Sequence, residues 1–281
     1  MKQLPANFEN RATQVLGQVA GVEGQLTPKE VRLLFLLAAL PTTVGEILEI
    51  GSFKGKSTIV LAKGAEMTAS PRVVAVDPLT SPSITDPHLG GKASGWDDFQ
   101  ANLKQAGVEK NVEFHRQFSF ELAKVWDKDR KIRLLWIDGD HTHSGTRTDF
   151  DLFAPFLADG AVVAFHDVLH HHGGPARVFA EGVLLSPNFG PAGVCGSIGW
   201  SQYFKDAKSC QPHLAAKIRL YRRLSRLIGY VAFGGEIEGL AKLHYKLIRF
   251  SIPHGEVQPQ NWIECVDFYT ADRNRDATDR A

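Results

Sequence analysis

Two stretches constrain this chain more than any others: Glu46 to Ser57, EILEIGSFKGKS, and Val73 to Pro78, VVAVDP. A short apolar run through Ile47, Leu48 and Ile50 reads as a buried strand. It ends in a turn holding Gly51, Ser52, Gly55 and Lys56, and a helix begins at Ser57. A second apolar run, Val73 to Val76, ends in Asp77. Strand, glycine turn, helix, strand and acid is the layout of a nucleoside-binding βαβ unit. Glycine lets backbone N–H groups approach a ligand closely. An acid at the tip of the second strand can accept both ribose hydroxyl protons.

The spacing narrows the nucleoside. The dinucleotide pattern G-x-G-x-x-G is absent, because Ser52, Phe53 and Lys54 separate Gly51 from Gly55. The phosphate-loop pattern G-x-x-x-x-G-K-S is one residue short, which leaves too little loop to wrap a β-phosphate. Glu49, just before Gly51, would repel a pyrophosphate and suits a cationic ligand. S-adenosylmethionine carries an ammonium and a sulfonium and no phosphate. The bland alternative is a strand-to-helix turn without a ligand.

With 281 residues, 43% hydrophobic and 22% charged, the chain has ordinary globular composition and room for one α/β core with additions. Its formal net charge of +1 indicates no global pull toward nucleic acid. Cys195, Cys210 and Cys265 form no CxxC pair, so neither a zinc site nor a disulfide framework is expected. MKQLPANFENRATQ lacks the apolar core of a signal peptide, and no apolar stretch is long enough to span a bilayer. A reduced, cytoplasmic setting is the expectation.

TPKE at Thr27 to Glu30 is a capping box with proline at the first helical position, and its helix stops at Pro41. Apolar runs at 46–50, 72–76, 112–115, 133–137 and 160–165 alternate with helical patterns at 56–67, 96–106, 119–126 and 145–157. That alternation predicts an α/β fold: a Rossmann-like, doubly wound, mainly parallel sheet with helical N- and C-terminal additions. The expected division is a helical extension over 1–44, the main domain over 45–204 and a C-terminal helical segment with a polar tail over 205–281. Ligands on such sheets bind at the carboxyl ends of the strands. The segments Pro78 to Gly95 and His170 to Pro175 border that edge and are candidate lid or substrate loops. CGSIGWSQYFK reads as a closing strand pair.

Beyond Ala215, Ile218, Tyr221, Leu224, Leu227 and Ile228 recur at helical spacing, with Arg219, Arg222, Arg223 and Arg226 largely off that stripe. Such a helix is expected to pack on its own domain or on a partner subunit, including a second copy in a homo-oligomer. Peripheral membrane contact through 215–250 is the other use of a basic amphipathic face.

The fourth apolar run delivers Asp138, Asp140 and His141 to the ligand edge, and the fifth delivers His166 and Asp167. Neighbouring parallel strands lie about 4.8 Å apart, so these tips can converge. Clustered acids repel unless protons or a metal compensate. Asp138, His166 and Asp167 form a credible divalent-metal set, with oxygen donors suiting magnesium and the imidazole admitting manganese. Individually, the two acids could cap helices and His166 could be a core hydrogen-bonder. Asp149 and Asp151 are read as a solvated face or caps, and His170, His171 and His172 as substrate contacts.

Together, LEIGSFKGKST, VVAVDP, LLWIDGDHTHSGTRTDFDLF and GAVVAFHDV resemble class I S-adenosylmethionine-dependent methyltransferases, over about residues 45–204. The similarity is to the metal-dependent sugar and natural-product O-methyltransferases of macrocin and aminocoumarin type. That resemblance implies S-adenosylmethionine bound by Glu49, Gly51, Ser52, Asp77 and Ser119, with Asp138 counted in both the cofactor and the metal set. It implies a divalent metal, magnesium or manganese, on Asp138, His166 and Asp167, although many of that family carry an acid where His166 stands. It implies Asp140 as general base, with His141 or His143 as substitutes. The acceptor it implies is a small molecule or glycan hydroxyl. Three other readings stay open: a metal-dependent hydroxylase of the related cephalosporin-hydroxylase-like branch, a phosphotransferase using Lys56 and Ser57, and a non-catalytic scaffold that binds a membrane or partner.

Overall fold

The alternating pattern condenses into one seven-stranded sheet with helices on both faces. The computed structural model describes residues 3–70, 72–80, 95–170, 172–232 and 237–268. Two helices come first, α1 (Phe8–Val19) and α2 (Pro28–Ala39). Then follow β1 (Glu46–Ile50), α3 (Lys56–Ala65), β2 (Val73–Val76), α4 (Trp96–Ala106), β3 (Val112–His115) and α5 (Ser119–Val125). The second half contains β4 (Ile132–Ile137), α6 (His143–Phe153), β5 (Leu157–Phe165), α7 (Gly173–Val178), β6 (Phe189–Cys195) and β7 (Ile198–Tyr203). Three helices end it: α8 (Leu214–Val231), α9 (Gly239–Ser251) and α10 (Pro259–Cys265). The spatial order is β3-β2-β1-β4-β5-β7-β6. The first five strands run parallel, and β7 is antiparallel to both its neighbours. Strand order reverses between β1 and β4, the place where a doubly wound sheet opens a ligand crevice. Most of the expected loop from Pro78 to Gly95, together with His171 and the tail from 271, lies outside the described residues.

Strands β1, β2, β4 and β5 are almost continuously buried and mostly apolar, as a sheet covered on both faces requires. Alternate side chains separate into two cores. Ile47, Val73, Leu134, Trp136 and Val162 pack with α1, α2, α3, α4 and α10. Leu48, Val74, Leu135, Val163 and Phe165 pack with α5, α6, α7 and α8. Each large side chain so buried contributes about 1.5–3 kcal/mol. The apolar stripe of α8 joins the second core through the buried Leu224 and Leu227. Further on, α10 sets Trp262 edge-on to Trp200, with ring centroids 4.9 Å apart. The C-terminal segment therefore packs on the sheet domain. No helix among the described residues is long and apolar enough to cross a membrane.

Local chemistry moves some boundaries from those expected. Helix α6 starts at His143 rather than 145, because the Thr142 hydroxyl accepts the Gly145 N–H at 3.0 Å and caps it. It ends by Phe153, two residues before Pro155, whose ring cannot continue a helix. Strand β6 begins well before Cys195, in Phe189-Gly-Pro-Ala-Gly, a composition that hides a strand. Gly193 is needed there, since a Cβ would come within 2.9 Å of the Trp200 ring.

The capping box on α2 does more than cap. Glu30 is buried, and one carboxylate oxygen accepts the Thr27 N–H (2.7 Å) and hydroxyl (2.6 Å). The other accepts the N–H (2.5 Å) and hydroxyl (2.8 Å) of Ser197 in the β6–β7 turn. Burial works to raise its pKa, but these bonds outweigh it and hold Glu30 below the ordinary carboxylate value. Glu30→Ala is expected to destabilise the fold by about 2–4 kcal/mol, since it strands the buried donors of Ser197 and removes the cap at Thr27. Urea unfolding measures this. A loss under about 1 kcal/mol would mean that the bridge adds nothing beyond an ordinary helix cap.

Candidate functional site

The candidate site follows from register. Strand pairing aligns Ile50 with Val76 on one side and with Ile137 on the other, and Ile137 with Phe165. The backbone ladder then continues one residue past each strand. Gly51 N–H donates to Val76 O (3.0 Å), Asp138 N–H to Ile50 O (2.8 Å) and His166 N–H to Ile137 O (3.0 Å). Residues 51, 77, 138 and 166 therefore stand together at the carboxyl edge of the sheet.

Gly51 has a left-handed backbone (φ 87°), and a Cβ there would strike the Asp138 backbone carbonyl. The turn's N–H groups, expected to face a ligand, are directed instead to Asp77. Ser52 and Phe53 donate to its Oδ2 at 2.7 and 2.9 Å, and Leu79 donates to Oδ1 at 2.7 Å. Burial still pushes Asp77 above its ordinary pKa against these bonds. Glu49 is fully buried. Its Oε2 accepts the hydroxyls of Thr58 (2.6 Å) and Ser52 (3.2 Å), while Oε1 has no hydrogen-bond partner among the described residues. Burial raises its pKa to about 7, against the hydroxyls of Ser57, Thr58 and Ser52. Lys56, central to the phosphotransferase reading, sends its Nζ to the Gly24 carbonyl (3.3 Å).

At the ends of β4 and β5, carboxylates and imidazoles interleave. His166 Nδ1 lies 3.1 Å from Asp138 Oδ1 and 3.5 Å from Asp167 Oδ1. His141 Nε2 lies 3.5 Å from Asp138 Oδ1 and 3.4 Å from Asp167 Oδ2. Burial alone would depress both histidines, but the facing carboxylates outweigh it. His166 is raised to about 10, and His141 is raised as well. Burial likewise works to raise Asp138, and the His166 charge with bonds from both histidines lowers it to about 2. Without a metal, the facing acids thus favour the protonated form of His166. Asp167 holds a left-handed backbone (φ 57°), uncommon for a residue with a side chain. The Ser197 hydroxyl, whose one proton lies between two carboxylates, is 2.8 Å from Glu30 Oε1 and 3.3 Å from Asp167 Oδ1.

The remaining residues are spread around this cluster. Asp140 is exposed and folds over the start of α6, where Oδ1 accepts the Thr142 N–H (2.8 Å) and Oδ2 its hydroxyl (3.0 Å). His143 Nε2 lies 3.7 Å from Glu181. His172 stacks on His141 (4.8 Å) and on His170 (5.3 Å). Asp167, His170 and His172 offer ligand atoms all within 4.8 Å of one another, a second set that could hold a metal. Asp149, expected on a solvated face, is buried under Gly139 and accepts the Ser119 hydroxyl at 2.5 Å. Its burial raises its pKa to about 6. Sequence reasoning gave no part in the site to Asp149, Glu30 or Ser197. Glu30 was legible as a cap, but nothing local marks the reach to Ser197.

Residues 48–168 match the family model described as a methyltransferase domain. Among curated proteins, the uncharacterized protein y4gI of Sinorhizobium fredii is 29% identical over 134 residues. The match covers 46% of this chain and only 14% of that longer protein. Among solved structures, the O-methyltransferase from Bacillus cereus in complex with SAH is 19% identical, with a TM-score of 0.50. That alignment covers 69% of this chain and 90% of the other. Cofactor-bound Rv0187 from MTB is 18% identical with a TM-score of 0.51, covering 73% of this chain and all of its own. At such identities the likeness is one of fold. The matched span runs from Leu48 through Val168 and takes in nearly all of the strand-edge residues above. Over that span the chain is similar to a methyltransferase domain, and it shares the Rossmann-like fold of these structures.

Proposed function

We propose that this chain transfers the methyl group of S-adenosylmethionine to a hydroxyl oxygen of a glycan or glycosylated small molecule, with a divalent cation assisting. One observation carries the reading. The glycine turn and the Asp138–His166–Asp167 cluster adjoin at one sheet edge, with Gly51 packed directly on the Asp138 backbone. A donor site and an acceptor site next to one another are what in-line group transfer needs.

The residues suit the cofactor. Glu49 Oε1 is a buried acceptor without a hydrogen-bond partner among the described residues, an arrangement that costs about 1–3 kcal/mol until a donor arrives. With Gly51 and Ser52 it is assigned the methionine end. Asp77 has spent three lone-pair positions on backbone N–H groups, which leaves about one for a ribose hydroxyl. Ser119, oriented by Asp149, is assigned the adenine side. When bound, the cofactor supplies an electrophilic methyl group.

The residues also suit a cation. Asp138, His166 and Asp167 are the first donor set, and His170 with His172 extend it from Asp167. Such a cation would lower the pKa of the acceptor hydroxyl. The mixed oxygen and nitrogen donors favour manganese over magnesium. For the acceptor proton, Asp140 is the exposed carboxylate, whereas the raised pKa of His141 biases that ring toward its protonated form. Asp140 is therefore the assigned base.

Calorimetry is expected to show saturable S-adenosylmethionine binding, and Asp77→Ala should weaken it at least about tenfold while loosening the turn. An unbound wild-type chain would sink the proposal. Asp167→Asn keeps a residue tolerant of the left-handed backbone. It is expected to cut methyl transfer about 100-fold or more with cofactor affinity nearly unchanged; retained transfer to a glycoside panel would remove Asp167 from the machinery. A third expectation concerns pH, in chelator. His166 is raised from 6.5 to about 10, so its stabilisation is complete below pH 6.5 and lost as pH climbs through about 10. Asp138 is lowered from 3.8 to about 2, so its share is complete above pH 3.8 and lost as pH falls through about 2. His166→Gln should flatten the alkaline limb in urea melts; an unchanged limb would contradict the ion pair.

A further inference from the structure

Helices α8 and α9 carry a surface that the sheet domain does not use. On α9, Leu240, Leu243, Leu247 and Phe250 are 85, 56, 60 and 84% exposed. Spacings of three, four and three place them in one stripe along the helix. The other side of α9 faces inward. Tyr245 and Ile248 pack against the second core, and the Tyr245 hydroxyl donates to Leu169 O at 2.9 Å. A stripe of four large apolar side chains pointing to water marks an interaction face.

Charge says what covers it. Residues 214–251 hold eight Lys or Arg and two Glu. Arg219, Arg222, Arg223 and Arg226 on α8 and Lys242 and Lys246 on α9 are all exposed. Two copies meeting through this face would bring like charges together. An anionic bilayer satisfies both features, since acyl chains take the stripe and phosphates meet the cations. At 13 residues α9 is about 20 Å long, too short and too polar to span, and suited to lying in the interface.

We propose that α8 and α9 form a docking surface for an anionic lipid bilayer, with α9 in the interfacial plane and its Leu/Phe stripe inserted. The Tyr245 bond ties the docking helix to the chain two residues beyond Asp167, so the bilayer would lie close to the candidate site in sequence and contact.

Vesicle flotation of the full chain tests this. The chain is expected to float with phosphatidylcholine vesicles containing about a third phosphatidylglycerol, at least about tenfold better than with phosphatidylcholine alone. Raised salt should weaken flotation, because charges beyond a Debye length are screened. The pair Leu243→Glu and Leu247→Glu should abolish it without altering the thermal melt, as both side chains are exposed. The pair Arg222→Gln and Arg223→Gln should reduce it and flatten its salt dependence. Absence of flotation, equal flotation on both vesicles, or flotation that survives the Leu-to-Glu pair would overturn the proposal. So would a dimer that the Leu-to-Glu pair splits, seen by sedimentation without any flotation, which would assign the stripe to a second copy.

Discussion

The parallel strands of this sheet end level with one another, and the geometry of the candidate site is a consequence of that register. Hydrogen bonds from Gly51 to Val76, Asp138 to Ile50 and His166 to Ile137 carry the ladder one residue into the loops. A slip of one residue in β4 would turn Asp138 to the opposite face and bury its carboxylate among Leu48, Leu135 and Val163. Gly51 guards against misplacement of this edge, since any side chain there meets the Asp138 carbonyl. Backbone pairing thus positions donors and acids before any side-chain contact is made.

Placing so many acids on one edge has an electrostatic cost, and the chain meets it differently at each. Asp77 is solvated by backbone N–H groups. Glu49 is surrounded by hydroxyls and raised to about 7, so near neutrality it is partly protonated. Asp138 relies on the His166 imidazolium, and Asp167 on Ser197 and His141. His166 and His141, both raised by the facing carboxylates, offset Asp138 and Asp167 while they hold their protons, and a cation can take the place of those protons against the same acids.

Much of this was legible in the sequence because it rests on short-range signals. The apolar runs at 46–50 and 112–115 and the helical pattern at 96–106 coincide with β1, β3 and α4. A run of buried β-branched residues between turn signals leaves little choice. Thr142 and Pro155 then decide the ends of α6 through single local contacts that periodicity cannot see. The convergence of Asp138, His166 and Asp167 was legible because strand ends deliver it. The status of Asp149 was not, since whether a helical acid is solvated or buried beneath Gly139 depends on how the α6 face meets α5. Nor was the destination of the turn's N–H groups. The same sequence pattern serves a ligand or a neighbouring carboxylate, and only the distance to Asp77 distinguishes them.

Segments outside the matched span complete what lies within it. Glu30 belongs to the N-terminal helices and Ser197 to the hairpin after the match, yet together they support Asp167 from behind. Tyr245 on α9 holds Leu169, and α8 closes over Gly173, where a Cβ would press on the Val231 carbonyl. The walls around Asp167, His170 and His172 come from this chain's own additions. On the proposed function, the shape of the opening beside the strand-end acids of this chain is set by what is packed around it: α2 and the β6–β7 turn through Glu30 and Ser197, and α8–α9 through Val231 and Tyr245.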